Sequence, residues 1–364
     1  MTRVKVIGAG SIGNHLSHAS RRLGWEVDIC DLDRQALERT RSEIYPGRYG
    51  AWDAGIGLYH TDEVPRGGYD YIFIGTPLDS HMALALEALQ EAPRAILVEK
   101  PLCTPSLEGA AEFRALARER GVAAFCGYDH AISQGIAAAV SPPSLTALGE
   151  AITLDVEFRE HWAGIFKAHP WLDGPESTYL GYWRRGGGSA GEHSHAINLW
   201  QRLALALGKG RVTAVSATME YVRDGAAEFD RMCLLNLTTE TGFTGRVVQD
   251  VVTRPSRKWA RIQGADGFVE WQYAYRPGEE AMFVGDSNGV VDEKIFTKSR
   301  ADDFVEELRH LDAAVANGAA LQSPIAVERA LETMLVIAAA HRSAQSGATV
   351  RIDYGAGYVE QALS

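Results

Sequence analysis

Cysteine is scarce in this chain. The four residues, Cys30, Cys103, Cys126 and Cys233, form no CxxC pair and no zinc-type spacing, which argues against a disulfide scaffold or a structural zinc site. A reducing, cytoplasmic compartment is the expectation. Long apolar runs are also missing: MLVIAAA, at 334–340, falls far short of the roughly 20 residues of a membrane span, and RVKVIG near the start is not a signal sequence. Neither a membrane partner nor export is expected. A basic excess is absent too, since 36 Lys and Arg face 47 Asp and Glu for a net charge of −11, so nucleic acid is not an expected partner.

What is present is an ordinary globular composition, 46% hydrophobic and 23% charged, over 364 residues, a length that suggests about two domains. Between positions 3 and 128 short β-branched runs (VKVIG, EVDICD, YDYIFIG, RAILVE, VAAFCGY) alternate with helical stretches. That rhythm predicts a parallel sheet, and the continuous apolar character of the runs predicts helices on both of its faces. Beyond about position 131 the strands lengthen and partly alternate (AITLDVEFRE, VTAVSATMEY, DRMCLLNLTTE, FTGRVVQDVV, WARIQGADGFVEW), predicting a second, α+β domain on a largely antiparallel sheet. SHAINLWQRLALAL reads as a covering helix, and helices are expected over 302–316 and 325–345, each followed by glycine. The expected domains are 1–128 and 129–364.

VIGAGSIGNHL sets Gly8, Gly10 and Gly13 directly after a strand, with Ser11 and Ile12 opening a helix. Glycine lets the chain turn sharply and lets backbone N–H groups approach a pyrophosphate at the positive helix end. Asp31 ends the next strand 18 residues after Gly13, near the roughly 20-residue spacing of a ribose-binding acid. A dinucleotide cofactor follows, with NAD preferred over NADP because the Asp31 charge repels a 2′-phosphate; Arg34 is the nearby group able to oppose that preference.

Four further motifs appear in order: GTPLDSH, VEKPL, GYDHA and GGGSAGEHSHAINLW. With them the chain resembles the Gfo/Idh/MocA oxidoreductase family over almost its whole length. The resemblance implies an N-terminal Rossmann domain, a C-terminal α+β domain on a large open sheet, and hydride exchange between a nicotinamide and a sugar or polyol carbinol. It places the family's EKP lysine at Lys100, puts Glu99 at the nicotinamide ribose, and makes Thr76, Pro77 and His81 cofactor contacts. Leu78 stands where many relatives carry Asn. The family's acid, histidine and second acid fall on Glu192, His195 and Asn198, so Glu replaces Asp and the last position is neutral. Glu192 is then the orienting acid of a Lys100, Glu192, His195 triad.

Oxidising a carbinol requires a base near neutrality beside the nicotinamide. His195 suits that role, because the positive end of its helix disfavours imidazolium. Lys100 suits either of two roles, a desolvated base or a charged clamp on the developing alkoxide. No metal is expected, since His193 and His195 lie two apart on a helix and no closing ligand pattern appears. Six aromatics (Trp162, Phe166, Trp171, Tyr179, Tyr182, Trp183) lie within positions 161–183. They read either as a wall for a sugar ring or as a lid or subunit contact. Trp162, Trp183 and Tyr128 are substrate-contact candidates, as are Lys100 and His195 themselves. Arg185 beside Arg184 would suit a substrate anion or simply the surface, and Gly186–Gly188 would give the lid a flexible end.

The expected function is an NAD-dependent dehydrogenase of a secondary hydroxyl on a sugar, cyclitol, sugar acid or derivative. Two rivals stand beside it: a glycosidase or lyase that retains NAD through an internal redox cycle, and a redox-inactive NAD-binding regulator. A homodimer or homotetramer is expected, on the argument that the second sheet leaves one partly apolar face uncovered.

Overall fold

A computed structural model describes residues 1–168 and 172–364, which form two compact units. The first contains Met1–Cys103, Glu108–Asp129 and Arg300–Ala330; the second contains Thr104–Leu107, His130–Ser299 and Leu331–Ser364. Residues 300–330 therefore correct the expected single cut at 128/129. The chain returns to the first unit because the helix Arg300–Ala316 packs on the helix Ser11–Arg22, burying Phe304, Leu308 and Leu311.

In the first unit six strands, β1 Arg3–Ile7, β2 Glu26–Asp31, β3 Ile56–His60, β4 Tyr71–Ile74, β5 Ala95–Val98 and β6 Ala123–Cys126, pair in parallel in the order β3-β2-β1-β4-β5-β6. β4 and β5 are buried at every position, as strands covered on both faces must be. The order reverses beside β1, and the loop after β1 lies at that switch point, where such sheets take ligands.

The second unit is built on nine strands: β7 Ala151–Arg159, β8 Val212–Asp224, β9 Ala227–Thr239, β10 Thr244–Asp250, β11 Arg257–Gly264, β12 Phe268–Arg276, β13 Glu279–Asp286, β14 Gly289–Thr297 and β15 Val350–Arg351. Their order is β14-β13-β12-β11-β7-β10-β9-β8-β15, antiparallel except for the β7–β10 pair. The helix Ser194–Ala206 covers β7 and β10, where fully buried Trp200 donates from Nε1 to the Leu154 carbonyl at 2.9 Å. Along β7, Leu154, Val156 and Phe158 are buried toward the core. The alternate residues carry charge: Asp155 pairs with Arg246 at 2.5 Å and Glu157 with Arg257 at 3.5 Å. The face opposite the core thus mixes cross-strand ion pairs with apolar residues, Val248 and Trp259 flanking Glu157 in register. No described helix is long and apolar enough to cross a membrane.

All four cysteines are free and buried, and burial pushes the Cys30 and Cys103 thiols up to about 12.

Candidate functional site

The glycine loop of the first unit is shaped by close contacts. Gly8 has φ +107°, and a Cβ there would meet the Gly75 carbonyl oxygen at 2.9 Å; at Gly13 it would lie 1.8 Å from the Gly8 carbonyl oxygen. Around Gly10, by contrast, a Cβ would meet nothing within 4 Å, so the space beside the helix N-terminus is open to an approaching group. Ser11 and Ile12 form the first turn; the Ser11 carbonyl accepts from Arg48 Nη1 at 3.0 Å, and Ile12 packs against Gly75.

Two residues outside the sequence expectation hold this loop. Asn14 Nδ2 donates to the Gly10 carbonyl at 2.8 Å and to Thr40 Oγ1 at 3.0 Å, while Thr40 donates to the Ala9 carbonyl at 2.6 Å. With the Ala9 and Gly10 carbonyls held by these side chains, the N–H groups of Ser11 and Ile12 in the first turn of the helix are the ones left for a ligand, the arrangement a pyrophosphate needs. The Asn directly after the GxGxxG pattern was a readable signal; Thr40, 26 positions on, was not.

Asp31 stands at the mouth of the loop, its Oδ2 accepting from the Ala9 N–H at 2.7 Å and its Oδ1 from the Asp33 N–H at 2.8 Å. Arg34, the group able to favour NADP, is committed to Glu63 at 2.5 Å. NAD is accordingly expected to bind more tightly than NADP, and Asp31→Ser to narrow the gap by about tenfold or more. Fluorescence titration with both cofactors checks this; tighter NADP binding by the unsubstituted protein would contradict it.

Thr76 and Pro77 follow β4 as expected. Ser80 joins them, its Oγ lying 2.7 Å from Thr76 Oγ1 and 2.7 Å from the Pro77 carbonyl. His81 is 1% exposed, with ring nitrogens 2.9 Å from the Thr76 carbonyl and 3.0 Å from the Pro101 carbonyl. Burial holds its pKa below the usual histidine value. Its visible work is to tie the turn after β4 to the segment carrying Lys100, not to present a surface.

Lys100 follows β5 and is half-buried, and the Lys100–Pro101 bond is cis. Glu99 beside it is buried, and burial pushes its carboxyl up to about 7, against the pull of Lys100. Gly127 makes room for it, since a Cβ there would lie 2.1 Å from Glu99 Oε2. Asp129 accepts from Arg300 at 2.6 Å, and Glu307, wholly buried on the returning helix, is raised well above its ordinary range by burial and by the Asp129 and Glu99 charges. Tyr128 is fully buried and offers no open ring face.

In the second unit His195 is the second residue of the helix Ser194–Ala206 and 9% exposed. Its ring stacks on His130 at 4.5 Å with planes 19° apart, and His130 in turn stacks on Tyr273 at 4.6 Å. Lys258 lies 5.6 Å and Lys298 4.6 Å from the Tyr273 ring centre. Lys258 also pairs with Glu160 at 2.6 Å; burial raises the Glu160 carboxyl, but that ammonium more than offsets it, leaving a net downward shift. This aromatic and ionic group around His195 was not legible in the sequence, although His130 lies in the GYDHA motif. Trp271 and Tyr273 share one face of β12 by strand alternation, the only local clue.

Of the other candidates in this unit, His193 borders the same group, its Nε2 lying 3.4 Å from the Glu160 carbonyl oxygen. Glu192 ends the short helix Gly188–Glu192, and His193 caps the next helix, its carbonyl accepting from Gln249. Asn198 donates to Thr333 at 3.1 Å and is buried, a core position. Trp162, 8% exposed, packs with Leu180, Phe229 and Val251, and Phe166 lies against it, so this part of the aromatic run is core rather than an open wall. Trp183 stacks on His341 at 4.6 Å, a different neighbourhood from His130 and Phe158, which flank His195. The Arg184 guanidinium covers Trp183 and that of Arg185 lies 5.4 Å from the Tyr182 ring; Trp171 lies outside the described residues. The expected flexible lid end is corrected as well. Gly186–Gly188 are buried, and a Cβ at Gly188, φ +77°, would lie 2.0 Å from Asp230 Oδ1.

Asp230 is fully buried, accepting from Ser189 Oγ at 2.7 Å and the Ala190 N–H at 2.8 Å, and burial pushes it from 3.8 to about 7. A raised folded-state pKa gives stability that is fully present below the unfolded value and lost as pH rises through the folded one. Asp230→Asn should therefore gain stability relative to the unsubstituted protein as pH climbs from 3.8 through about 7. Paired melting curves across that range check it; a pH-independent difference would contradict it.

Residues 2–128 match the Gfo/Idh/MocA family model, described as an oxidoreductase family with an NAD-binding Rossmann fold. Among solved structures, a levoglucosan dehydrogenase in complex with NADH superposes with a TM-score of 0.76 at 15% identity, covering 97% of this chain and 99% of that one. A putative myo-inositol dehydrogenase from Sinorhizobium meliloti 1021 gives 0.73 at 18%, covering 97% and 100%. The WlbA dehydrogenase from Bordetella pertussis, in complex with NADH and UDP-GlcNAcA, gives 0.70 at 18%, covering 97% and 99%. At these identities the likeness is one of fold. A curated protein, erythronate-4-phosphate dehydrogenase from Ectopseudomonas mendocina, matches over 33 residues at 54% identity, which is 9% of this chain and 9% of that protein. The two-part fold, the oxidoreductase class and the nicotinamide cofactor expected from the sequence agree with these findings.

Proposed function

We propose, from the premise that the domain at residues 2–128 belongs to the NAD-binding Gfo/Idh/MocA oxidoreductases, that this chain is a dehydrogenase of a secondary hydroxyl on a sugar, cyclitol, sugar acid or derivative. The observation that carries the reading is the glycine loop: its carbonyls are held by Asn14 and Thr40, the space beside Gly10 is open, and Asp31 stands at its mouth. Those features fit a dinucleotide. The solved structures of like fold that hold NADH with levoglucosan or with UDP-GlcNAcA support the substrate class.

When bound, NAD supplies the hydride acceptor. The Ser11 and Ile12 N–H groups and the positive end of the helix Ser11–Arg22 hold the pyrophosphate, and Asp31 accepts from ribose hydroxyls. In this reading Lys100 and His195 manage the substrate proton. His195 takes it from the hydroxyl, its ring fixed by stacking on His130, while Lys100 stabilises the oxygen charge that develops as hydride leaves. Glu192 remains the proposed orienting acid.

Counting products tests the reading. A dehydrogenase forms one NADH per carbonyl product; glycoside cleavage or elimination with no net NADH would replace the reading with an internal redox cycle, and NAD binding without turnover of any carbohydrate would replace it with regulation.

A further inference from the structure

At the N-terminal ends of the first unit's strands, the end opposite the glycine loop and Lys100, a cavity of about 330 Å³ opens where β5 and β6 begin. That is within the range of small-ligand sites, about 300–1,000 Å³. Three arginines line it, in a chain whose net charge is −11. Arg114 Nε and Arg118 Nε share one oxygen of Glu328, Oε1, at 3.1 and 3.0 Å. Arg94 makes no ion pair among the described residues, and its guanidinium rests 5.6 Å from the Tyr71 ring centre. Glu328 is 6% exposed, and its Oε2 is buried with no hydrogen-bond partner among the described residues. The first turn of the 20-residue helix Val327–Ser346 also borders the cavity and adds its positive end. Val122 and Val315 supply an apolar wall, and Leu321, 56% exposed, stands at the rim.

This set has two unmet needs. A surplus of cationic charge calls for an anion, and a buried carboxylate oxygen calls for a donor. We propose that the cavity binds a small carboxylate carrying a hydrogen-bond donor on its α-carbon and an apolar side chain, a 2-hydroxy or 2-amino acid. The carboxylate meets Arg94 and Arg118, the hydroxyl or ammonium donates to Glu328 Oε2, and the side chain lies along Val122, Val315 and Leu321. The lining shares no residue with the proposed catalytic set, and the site does not depend on that assignment.

Calorimetric titration of the full chain with saturating NAD, using 2-hydroxyisocaproate, L-leucine and isocaproate as probes, tests this. At least one of the first two is expected to bind, identifying the donor as hydroxyl or ammonium, with isocaproate, which lacks the donor, about tenfold weaker or more. Arg94→Gln should weaken binding by a similar factor, while Lys100→Met leaves it unchanged. Leu321→Glu, at an exposed rim position, should abolish it and serves as the second variant if Arg94→Gln fails to fold. No heat from any probe, equal binding of isocaproate, binding that survives both cavity variants, or binding lost in Lys100→Met would each overturn the proposal.

Discussion

Lys100→Met and His195→Ala are each expected to lower turnover by about two to four orders of magnitude while NAD affinity stays within a few fold. Removing a proton acceptor, or a charge aimed at a developing alkoxide, costs free energy in the transition state and little in the ground state, so kcat falls more than KM rises. The setting of both residues supports this size of effect. Lys100 is half-buried beside the buried Glu99 carboxyl, and His195 is buried, stacked on His130 and placed at a helix N-terminus. The two variants should differ in pH dependence. If His195 is the base, His195→Ala loses the limb on which rate rises with pH, whereas Lys100→Met keeps it. Steady-state kinetics with cofactor titration decide this, and retained turnover in both variants would remove the assignment.

The second large effect separates the two jobs of the glycine loop. Gly13→Ala pushes a methyl to within 1.8 Å of the Gly8 carbonyl oxygen, so the strand and helix must part. Overpacking of this kind costs about 1–3 kcal/mol, and both melting temperature and NAD affinity should fall, the affinity by about ten- to hundredfold. Gly10→Val meets no protein atom within 4 Å at its Cβ and should fold normally. It should nevertheless lose NAD binding, because the methyl groups fill the space the pyrophosphate requires. Melting curves and NAD titration on both variants check the contrast; unaltered NAD affinity in Gly10→Val would place the cofactor elsewhere.

The legible parts of this protein were those set by local chemistry. Continuous apolar runs announced five of the six parallel strands, and the glycine spacing with Asp31 announced the cofactor loop. β3 escaped because Gly57 and His60 break its apolar run, and β14 because seven of its first eight residues are exposed, leaving no buried face to create a pattern. The helix 302–316 was readable from its period and its closing Gly318, but its return to the first unit was not, since periodicity says that a face is buried and not against what. The same limit governed the site. Lys100 and His195 lie in motifs; Tyr273, Lys258 and Glu160 reach the His195 group only through the register of β7, β11 and β12. Trp162 illustrates the converse, since an aromatic-rich segment looks the same whether it lines a pocket or fills the core around Phe229.

The central claim is tested most directly by following reduced nicotinamide at its absorption band with NAD, and separately NADP, across cyclitols, aldoses, sugar acids and nucleotide sugars. The account predicts NADH formation with at least one secondary alcohol in that set, and a weaker signal or none with NADP. Silence across the whole set, from protein shown by titration to bind NAD, would contradict it.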